Sequence, residues 1–301
     1  MRTKIILNPW SDRGRAVEKK EEILRVARMY GEVDLVLTER RGHARELARQ
    51  AADEGYELVA AAGGDGTVHE VVNGLVQGGR ADVLLGVIPV GSGNDFAYAF
   101  GIEPKVETAV PRLFTGQPHT VDLARIEDEH GRFEIVDNNI GIGFDAMIAI
   151  QTQSITRVHG FVMYTLATLR TIALYYQTPH LEIWFDDEKV AQESLFLAFG
   201  LGPRGGGGFF LTPDARHDDG LIDTCLVNPV GRLTMLYMML KVMRGTHVTS
   251  RHVTMRQNQQ IMVSANMPLP IHTDGEIFAY PEDNVRRVTV TSLPAAIQVM
   301  A

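Results

Sequence analysis

The stretch from Gly63 to Gly74, G-G-D-G-T-V-H-E-V-V-N-G, constrains the fold of this 301-residue chain most strongly. It follows a short apolar run, Glu57 to Ala62, that predicts a buried strand, and it leads into apolar residues at helical spacing. Glycines let the backbone approach a ligand closely, and the next helix points free N–H groups at the same place. The stretch therefore predicts a strand, a glycine turn and a helix that suit phosphate, with a plain tight turn as the alternative.

Asp65 is the unexpected residue of this turn. A carboxylate repels phosphate unless a metal, a proton or a hydrogen-bond donor intervenes. We therefore expect Asp65 to organise the loop or a hydrated Mg²⁺ rather than to touch phosphate directly.

The same alternation of strand and helix occurs four times before residue 122. Strands are predicted at Lys4–Leu7, Val33–Thr38, Glu57–Ala62 and Val83–Pro89. Such alternation predicts a doubly wound parallel sheet, and ligands of such sheets bind at the carboxyl ends of the strands. A second glycine turn, Gly91-Ser92-Gly93, follows the fourth strand and should lie at the same edge as the first.

The pattern changes near Asp122. From there to about Val290 strands dominate, among them Phe133 to Ile140, and two helices interrupt them, near Val158 to Tyr176 and Leu233 to Arg244. We predict a second domain built mainly of antiparallel sheet.

Composition excludes several classes of protein. A hydrophobic content of 45% with 22% charged residues is typical of a globular protein, and a net charge of -8 argues against nucleic acid as a partner. The single cysteine, Cys225, excludes an intrachain disulfide and favours a reducing, cytoplasmic location. The longest apolar helix is interrupted by Arg170 and is too short to cross a membrane, whereas peripheral binding at a membrane surface stays open.

Two further acidic turns are candidates for chemistry. Pro213 to Gly220 holds three carboxylates and suits Mg²⁺ or Ca²⁺, with a solvated turn as the equal alternative. His272 to Glu276 contains D-G-E, a common hairpin signal whose carboxylates are also of the type that accepts a proton in phosphoryl transfer. The G-x-G-x-x-G match at Gly200 to Gly205 is interpreted as a coincidence, because more glycines and Pro213 follow where a helix is required.

Two other features favour structural roles. The asparagines of Asn138 to Asp145, at the end of a predicted strand, are expected to cap backbone groups. The methionines of Met235 to Met243 form an adaptable apolar helix surface, for which core packing is favoured over a lipid contact.

Taken together, the motifs resemble the diacylglycerol kinase catalytic family, in the branch of soluble bacterial lipid kinases related to sphingosine and ceramide kinases. The resemblance covers nearly the whole chain. It depends on N-P-x-S at Asn8, G-G-D-G-T at Gly63, P-x-G-S-x-N-D-F-A at Pro89, G-G-G with P-D-A-x-x-D-D-G from Gly206 to Gly220, and D-G-E at Asp274.

The resemblance implies a two-domain kinase that uses ATP and Mg²⁺. Residues 1–122, with about 291–301 returning to them, would bind nucleotide, and residues 123–290 would form a β-sandwich for the lipid and the metal. The nucleotide would be surrounded by Asn8, Pro9, Trp10, Ser11, Asp12, Thr38, Gly64, Asp65, Gly66, Thr67, Val68, His69, Glu70, Ser92 and Asn94. A carboxylate network of Asp65, Asp95 and Asp122 would handle the phosphates.

The resemblance also implies a metal site and a base. Arg216 and Leu221, through their carbonyls, and Asp219, through its side chain, would hold a structural Mg²⁺. Glu276 would accept the proton of the lipid hydroxyl, with Asp274 as its rival.

The sequence departs from the family pattern at two positions. Asp12 stands where glycine is usual, which weakens the phosphate contact of the first loop unless Gly14 compensates. Tyr98 stands where arginine is frequent, which removes one cation.

We therefore predict an ATP-dependent lipid kinase that acts on diacylglycerol or a related lipid at a membrane surface, has no transmembrane segment, and can form a homodimer. Two alternatives stay open. The first is a phosphotransferase of the NAD kinase type, which shares G-G-D-G-T. The second is a regulator that binds nucleotide without catalysis, against which the acidic residues of all three motifs argue.

Overall fold

The structure is a computed structural model that describes residues 1–155, 158 and 160–301. The chain divides into two compact units, one of residues 1–123 with 294–301 and one of residues 124–293. The predicted fold class, a doubly wound Rossmann-like α/β domain and an antiparallel β-sandwich domain, is confirmed. The binding roles given to the two domains remain a proposal.

The first unit is a parallel sheet with helices. Its strands are β1 (Thr3–Leu7), β2 (Val33–Leu37), β3 (Leu58–Gly63) and β4 (Leu84–Pro89), and its helices are α1 (Lys20–Ala27), α2 (His43–Asp53), α3 (Asp65–Gln77), α4 (Asp95–Ala99) and α5 (Val106–Thr115). The strand order is β2-β1-β3-β4, all parallel. The chain turns one way from β1 to β2 and the other way from β2 to β3, so the point where its direction reverses lies between β1 and β3.

Helices cover both faces of this sheet. Crossovers between parallel strands are almost always right-handed, which puts α1 on one face and α2 and α3 on the other. Packing agrees, since α2 contacts α3 and α1 contacts α5. All six residues of β3 are buried, as expected for the centre of a sheet covered on both sides.

The strands and helices of the second unit follow in chain order. They are β5 (Pro118–Asp128, which begins in the first unit), β6 (Phe133–Val136), β7 (Asn139–Gly143), α6 (Phe144–Thr152), α7 (Gly160–Leu174), β8 (His180–Phe185), β9 (Glu188–Glu193), β10 (Phe196–Gly200), β11 (Ile222–Val227), α8 (Arg232–Val242), β12 (Val253–Asn258), β13 (Gln260–Ala265), β14 (Ile271–Thr273), β15 (Glu276–Ala279) and β16 (Arg287–Met300, whose end belongs to the first unit).

These strands form a β-sandwich. One sheet has the order β12-β11-β10-β7-β14-β15 and is antiparallel in every pair. Opposite it, β13 pairs with β16 and β8, and β8 pairs with β9, again antiparallel. A single apolar core joins the two sheets, with Ile142, Phe199 and Leu226 from one and Ile183 and Val263 from the other.

Several predicted boundaries differ from those observed. The predicted strand Phe133–Ile140 is two strands, β6 and β7, separated by a turn at Asp137 and Asn138. The predicted helix near Val158 to Tyr176 is α7, Gly160–Leu174, and His159 lies outside the described residues. The sequence did not indicate α5 or α6.

Gly74, the last glycine of the opening motif, sets the distance between α2 and α3. A Cβ at this position would lie 2.3 Å from the carbonyl oxygen of Arg45 and 2.9 Å from the Cβ of Ala48. Glycine is therefore required for helix packing here rather than for the turn.

We expect Gly74→Ala to lower the free energy of unfolding by about 1 to 3 kcal/mol, because the overpacked helices must move apart. Urea denaturation measures this change. Gly231→Ala is the control, because a Cβ there meets nothing within 4 Å, and it should change stability by less than about 1 kcal/mol. Equal stability of Gly74→Ala and the wild type would contradict the packing argument.

Candidate active site

The loop after β1 is a tight, polar turn at the point where the sheet reverses direction. The N–H of Asn8 donates to Ala62 O (2.9 Å), and its side chain donates to Thr67 Oγ1 (3.1 Å), which ties this loop to the glycine turn after β3. The side chain of Trp10 is 72% exposed. Pro9 and Ser11 lie within the turn and are partly buried.

Asp12 does not distort this loop. Its φ of 48°, with 64° at Arg13 and 80° at Gly14, is the left-handed conformation that glycine adopts most readily. Asp12 therefore keeps the backbone shape that glycine would give. Arg15 lies 3.0 Å from its carboxylate, so the added negative charge is balanced by a cation. The expected weakening of the first loop does not extend to its backbone conformation.

The glycine turns after β3 and β4 pack backbone against backbone. A Cβ at Gly91 would lie 2.3 Å from the Cα of Gly64 and 2.8 Å from its nitrogen. The N–H of Val90 donates to Gly63 O (3.0 Å). The two glycine loops predicted to share one sheet edge are thus in direct contact.

Asp65 connects the two motifs. Its Oδ1 accepts the N–H of Phe96 at 3.1 Å, in the first turn of α4. Asn94, with a left-handed φ of 55°, closes the second loop by bonding both the N–H (3.1 Å) and the carbonyl oxygen (2.9 Å) of Gly91. Asp65 therefore organises the loops, which agrees with the role expected for it from the sequence.

Four of the residues predicted to surround the nucleotide have structural roles within the first unit. Val68 and His69 are buried within α3, and Thr38 is buried after β2, where its N–H donates to Leu7 O (3.0 Å). The two carboxylate oxygens of Glu70 accept the N–H groups of Gly42 (2.7 Å) and Ala44 (3.0 Å). Glu70 therefore fixes the start of α2, a role that the sequence did not indicate.

The other two carboxylates of the predicted network are buried in the first unit. Asp95 begins α4 and is 4% exposed. Asp122 is equally buried, and its Oδ1 accepts the N–H of Ala295 (2.7 Å) from the returning C-terminal segment. Ser92 is exposed on the second glycine loop, and Gly66 and Thr67 form the first turn of α3.

This edge can bind an anion. The three loops after β1, β3 and β4 bring glycine backbone and the N-terminus of α3 to the reversal point of the sheet, where backbone N–H groups and the helix dipole favour phosphate.

In the second unit, D-G-E forms a two-residue hairpin between β14 and β15. Asp274 and Gly275 have φ of 51° and 83°, the left-handed pair that this turn requires. The Asp274 carboxylate accepts three backbone N–H groups, from Asp137 (3.1 Å), Asn138 (3.0 Å) and Asn139 (2.7 Å). Three such bonds stabilise the anion and use its lone pairs for structure.

Glu276 differs from Asp274 in its surroundings. It is the first residue of β15, pairs with Thr273 across the hairpin, and is partly exposed. Glu276 is the less buried of the two, since Asp274 is 8% exposed. Asn138 caps backbone groups as expected, since its side chain donates to Arg204 O (2.9 Å).

A polar chain that the sequence did not reveal lies beside this hairpin. Asp145 accepts the hydroxyl of Tyr164 (2.7 Å) with Oδ1 and lies 3.1 Å from His272 Nε2 with Oδ2. Because His272 Nδ1 accepts the N–H of Gly275 (3.3 Å), the proton is on Nε2 and His272 donates to Asp145. Gly141 makes room for both side chains, since a Cβ there would lie 2.3 Å from each.

Asp145 and Tyr164 of this hydrogen-bonded group line an apolar cavity of about 90 Å³. Its walls come from α6, α7, α8, β10, β11 and the glycine-rich loop before β11, with side chains such as Phe144, Ile172, Phe209, Met235 and Met238. Three methionines line it, and their flexible side chains allow the cavity to widen around a guest.

Two titratable groups of this cavity are held neutral. Burial raises the pKa of the Cys225 thiol to about 12, with the nearby Asp145 charge acting in the same direction. Burial lowers the pKa of His247 below its usual range, against the hydrogen bond from its Nε2 to Leu211 O (3.0 Å). The cavity is therefore apolar, and Asp145 is the carboxylate in its lining.

The acidic turn before β11 brings carboxylates together. Asp219 Oδ1 accepts the N–H of Leu221 (3.0 Å), and Asp218 pairs with Arg216 (2.9 Å). Burial raises the pKa of Asp223 to about 6, against a hydrogen bond from Gln257, and the charges of Asp219 and Asp214 add to this rise. Oxygen donors that repel one another in this way fit a hard divalent cation.

Comparisons with known proteins agree with this architecture. Residues 2–126 match the model of the diacylglycerol kinase catalytic domain, and residues 138–301 match the YegS C-terminal NAD kinase beta sandwich-like domain. The fold resembles a crystal structure of a candidate diacylglycerol kinase from Bacillus anthracis str. Sterne, with a TM-score of 0.82 at 20% identity over 99% of this chain and 94% of the other.

Two relatives match over most of their length. A diacylglycerol kinase of Mycobacterium tuberculosis (strain CDC 1551 / Oshkosh) is 28% identical over 98% of this chain and 93% of its own. A Chromohalobacter salexigens protein named "Probable lipid kinase YegS-like" is 30% identical over 86% of this chain and 82% of its own. With both of its domains matched, the chain belongs to the diacylglycerol kinase catalytic family, in the branch of bacterial lipid kinases that carry the YegS-type C-terminal domain.

Proposed function

We propose that this protein is an ATP-dependent lipid kinase that transfers the γ-phosphoryl group to a lipid hydroxyl, with diacylglycerol as the first candidate. The apolar cavity of the second unit is the observation that carries the choice of substrate class. A glycine-lined phosphate site also suits a soluble-substrate kinase, but a soluble acceptor such as NAD has no use for an apolar cavity.

In this proposal the first unit holds ATP. The loops of Asn8 to Gly14, Gly64 to Thr67 and Gly91 to Asn94 present backbone N–H groups to the phosphates. Asp65, held by the N–H of Phe96, supplies a fixed carboxylate that orders water or metal beside them. Glu70 and Thr38 act indirectly by holding the start of α2 and the end of β2.

The second unit holds the lipid. Its acyl part occupies the cavity between α6, α7 and α8, and Glu276 accepts the proton of the attacking hydroxyl. Asp274 positions the turn rather than acting as the base, because three backbone N–H groups already use its carboxylate. Product in this scheme is a phosphorylated lipid at a membrane surface, a precursor class for phospholipids.

Mg²⁺ fits the acidic turn. Asp219 and the carbonyl oxygens of Arg216 and Leu221 would hold it, and the cation would offset the repulsion among Asp214, Asp219 and Asp223. A bound divalent ion supplies charge neutralisation, and at this turn its role is to fix the loop before β11.

No helix in the described part of the chain has the length and apolar content to cross a bilayer.

The proposal is tested with radiolabelled ATP and three acceptors: total lipid extract, dispersed dioctanoylglycerol and NAD. We expect label in a lipid product on thin-layer chromatography and none in NADP. Label in NADP alone supports the soluble-substrate alternative, and binding of ATP without transfer to any acceptor supports the regulatory one.

The Asp65 carboxylate should be essential for turnover. We expect Asp65→Ala to abolish activity and Asp65→Asn, which keeps an acceptor for the Phe96 N–H, to lower kcat/KM at least about 100-fold with normal stability. Steady-state kinetics and thermal melting measure the two effects. Asp53→Asn on the surface of α2 is the control and should keep the wild-type activity. Wild-type kcat/KM in Asp65→Asn would contradict the role proposed for this carboxylate.

Substitutions of the two carboxylates of the D-G-E turn should have different effects, one on activity and the other on stability. Glu276→Gln should lower kcat about 100-fold or more without loss of stability, as expected for removal of a general base. Asp274→Asn should lower the free energy of unfolding by about 2 to 4 kcal/mol, because it weakens three charge-assisted bonds and leaves N–H groups unpaired. The assignment fails if Glu276→Gln is fully active, or if Asp274→Asn is as stable as the wild type.

Mg²⁺ should stabilise the protein through Asp219. We expect the thermal midpoint to rise with added MgCl₂ and to fall on removal of the metal with EDTA, since a ligand that binds only the folded state stabilises it. Asp219→Asn should lose most of this response, and Asp187→Asn, exposed on the β8–β9 turn, should keep it. An unchanged response in Asp219→Asn would place the metal elsewhere.

A further inference from the structure

Two neighbouring helices of the second unit are apolar on both faces. The inner side of α7 buries Ala167 and Ile172, and that of α8 buries Met235 and Met238, at or beside the cavity. Arg232 Nε, at the start of α8, donates to Ile172 O (3.0 Å) and so joins the two helices. A helix that is apolar all round is normally covered on every side.

The outer sides of the same helices are nevertheless exposed. We define the outer face of α7 and α8 by its exposed apolar residues: Val162, Leu166, Leu169, Leu233, Tyr237 and Leu240. On each helix they recur at intervals of three and four residues, which places them on one side. Leu233 is 83% exposed and Tyr237 59% exposed, so water contacts most of their apolar surface. A cluster of this kind marks an interaction site.

The two stretches of sequence that contain these helices carry charges of one sign. Asp and Glu are absent from residues 146–181 and 224–273, although the whole chain carries a net charge of -8. Among the described residues, four cations lie on or beside the two helices: Arg170, Arg232, Lys241 and Arg244. The Lys241 ammonium lies 5.3 Å from the ring centre of Tyr237, and the Arg232 guanidinium 5.4 Å from that of Tyr176, so these positive charges are stabilised without a carboxylate.

We propose that the outer face of α7 and α8 docks on the anionic surface of a lipid bilayer. Leucine and tyrosine side chains enter the boundary between head groups and acyl chains, and arginine and lysine contact the phosphates of anionic lipids. The rest of the acidic chain is repelled by the same surface, which orients the protein on it.

This inference rests on the proposed function and names the surface through which the lipid reaches the cavity. The same two helices form the cavity wall with their inner sides. The cavity therefore lies directly behind the helices that would touch the bilayer.

A second copy of the chain fits the same face less well. In a two-fold symmetric dimer the same face of both copies is in contact, so each residue lies near the same residue, or a neighbouring one, of the other copy. Four cations on each side would then face four on the other with no carboxylate in either helix to offset them.

The experiment is sedimentation with large unilamellar vesicles in the absence of ATP. Vesicles of equal parts phosphatidylglycerol and phosphatidylcholine are compared with pure phosphatidylcholine, at low and high salt. We expect the wild type to bind the anionic vesicles more tightly than the neutral ones. This binding should weaken as the salt concentration rises. Leu233→Glu and Leu240→Glu should each bind about tenfold or more weakly, because each loses the burial of a leucine and adds a negative charge.

Met29→Glu is the matched control. Met29 follows α1 in the first unit, is 73% exposed, and receives the same change in size and charge. It should bind vesicles as the wild type does. Circular dichroism and urea denaturation confirm that each variant folds, and if one of the two leucine variants fails to fold the other decides.

Three outcomes would overturn the proposal. The wild type ignores anionic vesicles, both leucine variants bind as well as it does, or Met29→Glu loses as much binding as they do. Sedimentation velocity adds a fourth: a dimer that Leu233→Glu dissociates while vesicle binding persists would make this face a contact between copies.

Activity on dispersed dioctanoylglycerol separates this inference from the proposed function. Leu233→Glu should phosphorylate the dispersed lipid within about twofold of the wild type and lose activity only on substrate held in vesicles. If the wild type phosphorylates no lipid, the function fails while vesicle binding is still measured. If it phosphorylates the dispersed lipid but ignores vesicles, only the docking surface fails.

Discussion

The contact between Gly64 and Gly91 is the constraint on which the phosphate site depends. A Cβ at Gly91 would lie 2.3 Å from the Cα of Gly64, so the turn after β4 approaches the turn after β3 this closely only with glycine at position 91. Once they touch, the Asp65 carboxylate reaches the N–H of Phe96 and fixes the start of α4. The G-G-D-G-T and G-S-G-N-D motifs therefore form one site, although a helix and a strand separate them in sequence.

The layout of the first unit could be predicted from the sequence. Strands that alternate with amphipathic helices predict a parallel sheet, and glycines after strands predict its ligand-binding edge, because both signals are local. The function of Glu70 was not predictable in this way. Its oxygens bond N–H groups of Gly42 and Ala44, which are 28 and 26 residues away, and no periodicity reports a contact over that distance.

In the second unit the missed features share one cause. The split of the predicted strand Phe133–Ile140 into β6 and β7 is held by Asp274, whose side chain bonds three N–H groups of the intervening turn from more than 130 residues away. Helix α6 is apolar on nearly every side, so it has no helical stripe to reveal it, and the glycines before it indicated turns. Asp145 and His272 meet only because Gly141 leaves them room.

Hydrogen bonds thus sort the carboxylates of this chain by role more clearly than sequence position does. Asp274, with its three N–H donors, and Glu70, with two, are held as structural anions, whereas Glu276, the first residue of β15, is partly exposed. Asp145 is saturated by Tyr164 and His272, yet it is the one carboxylate that lines the apolar cavity. A buried acid costs little when both its oxygens are bonded, so an otherwise apolar space can carry a polar corner without becoming wet. An amphipathic guest with one polar group and an apolar body matches that arrangement, and a wholly polar one does not.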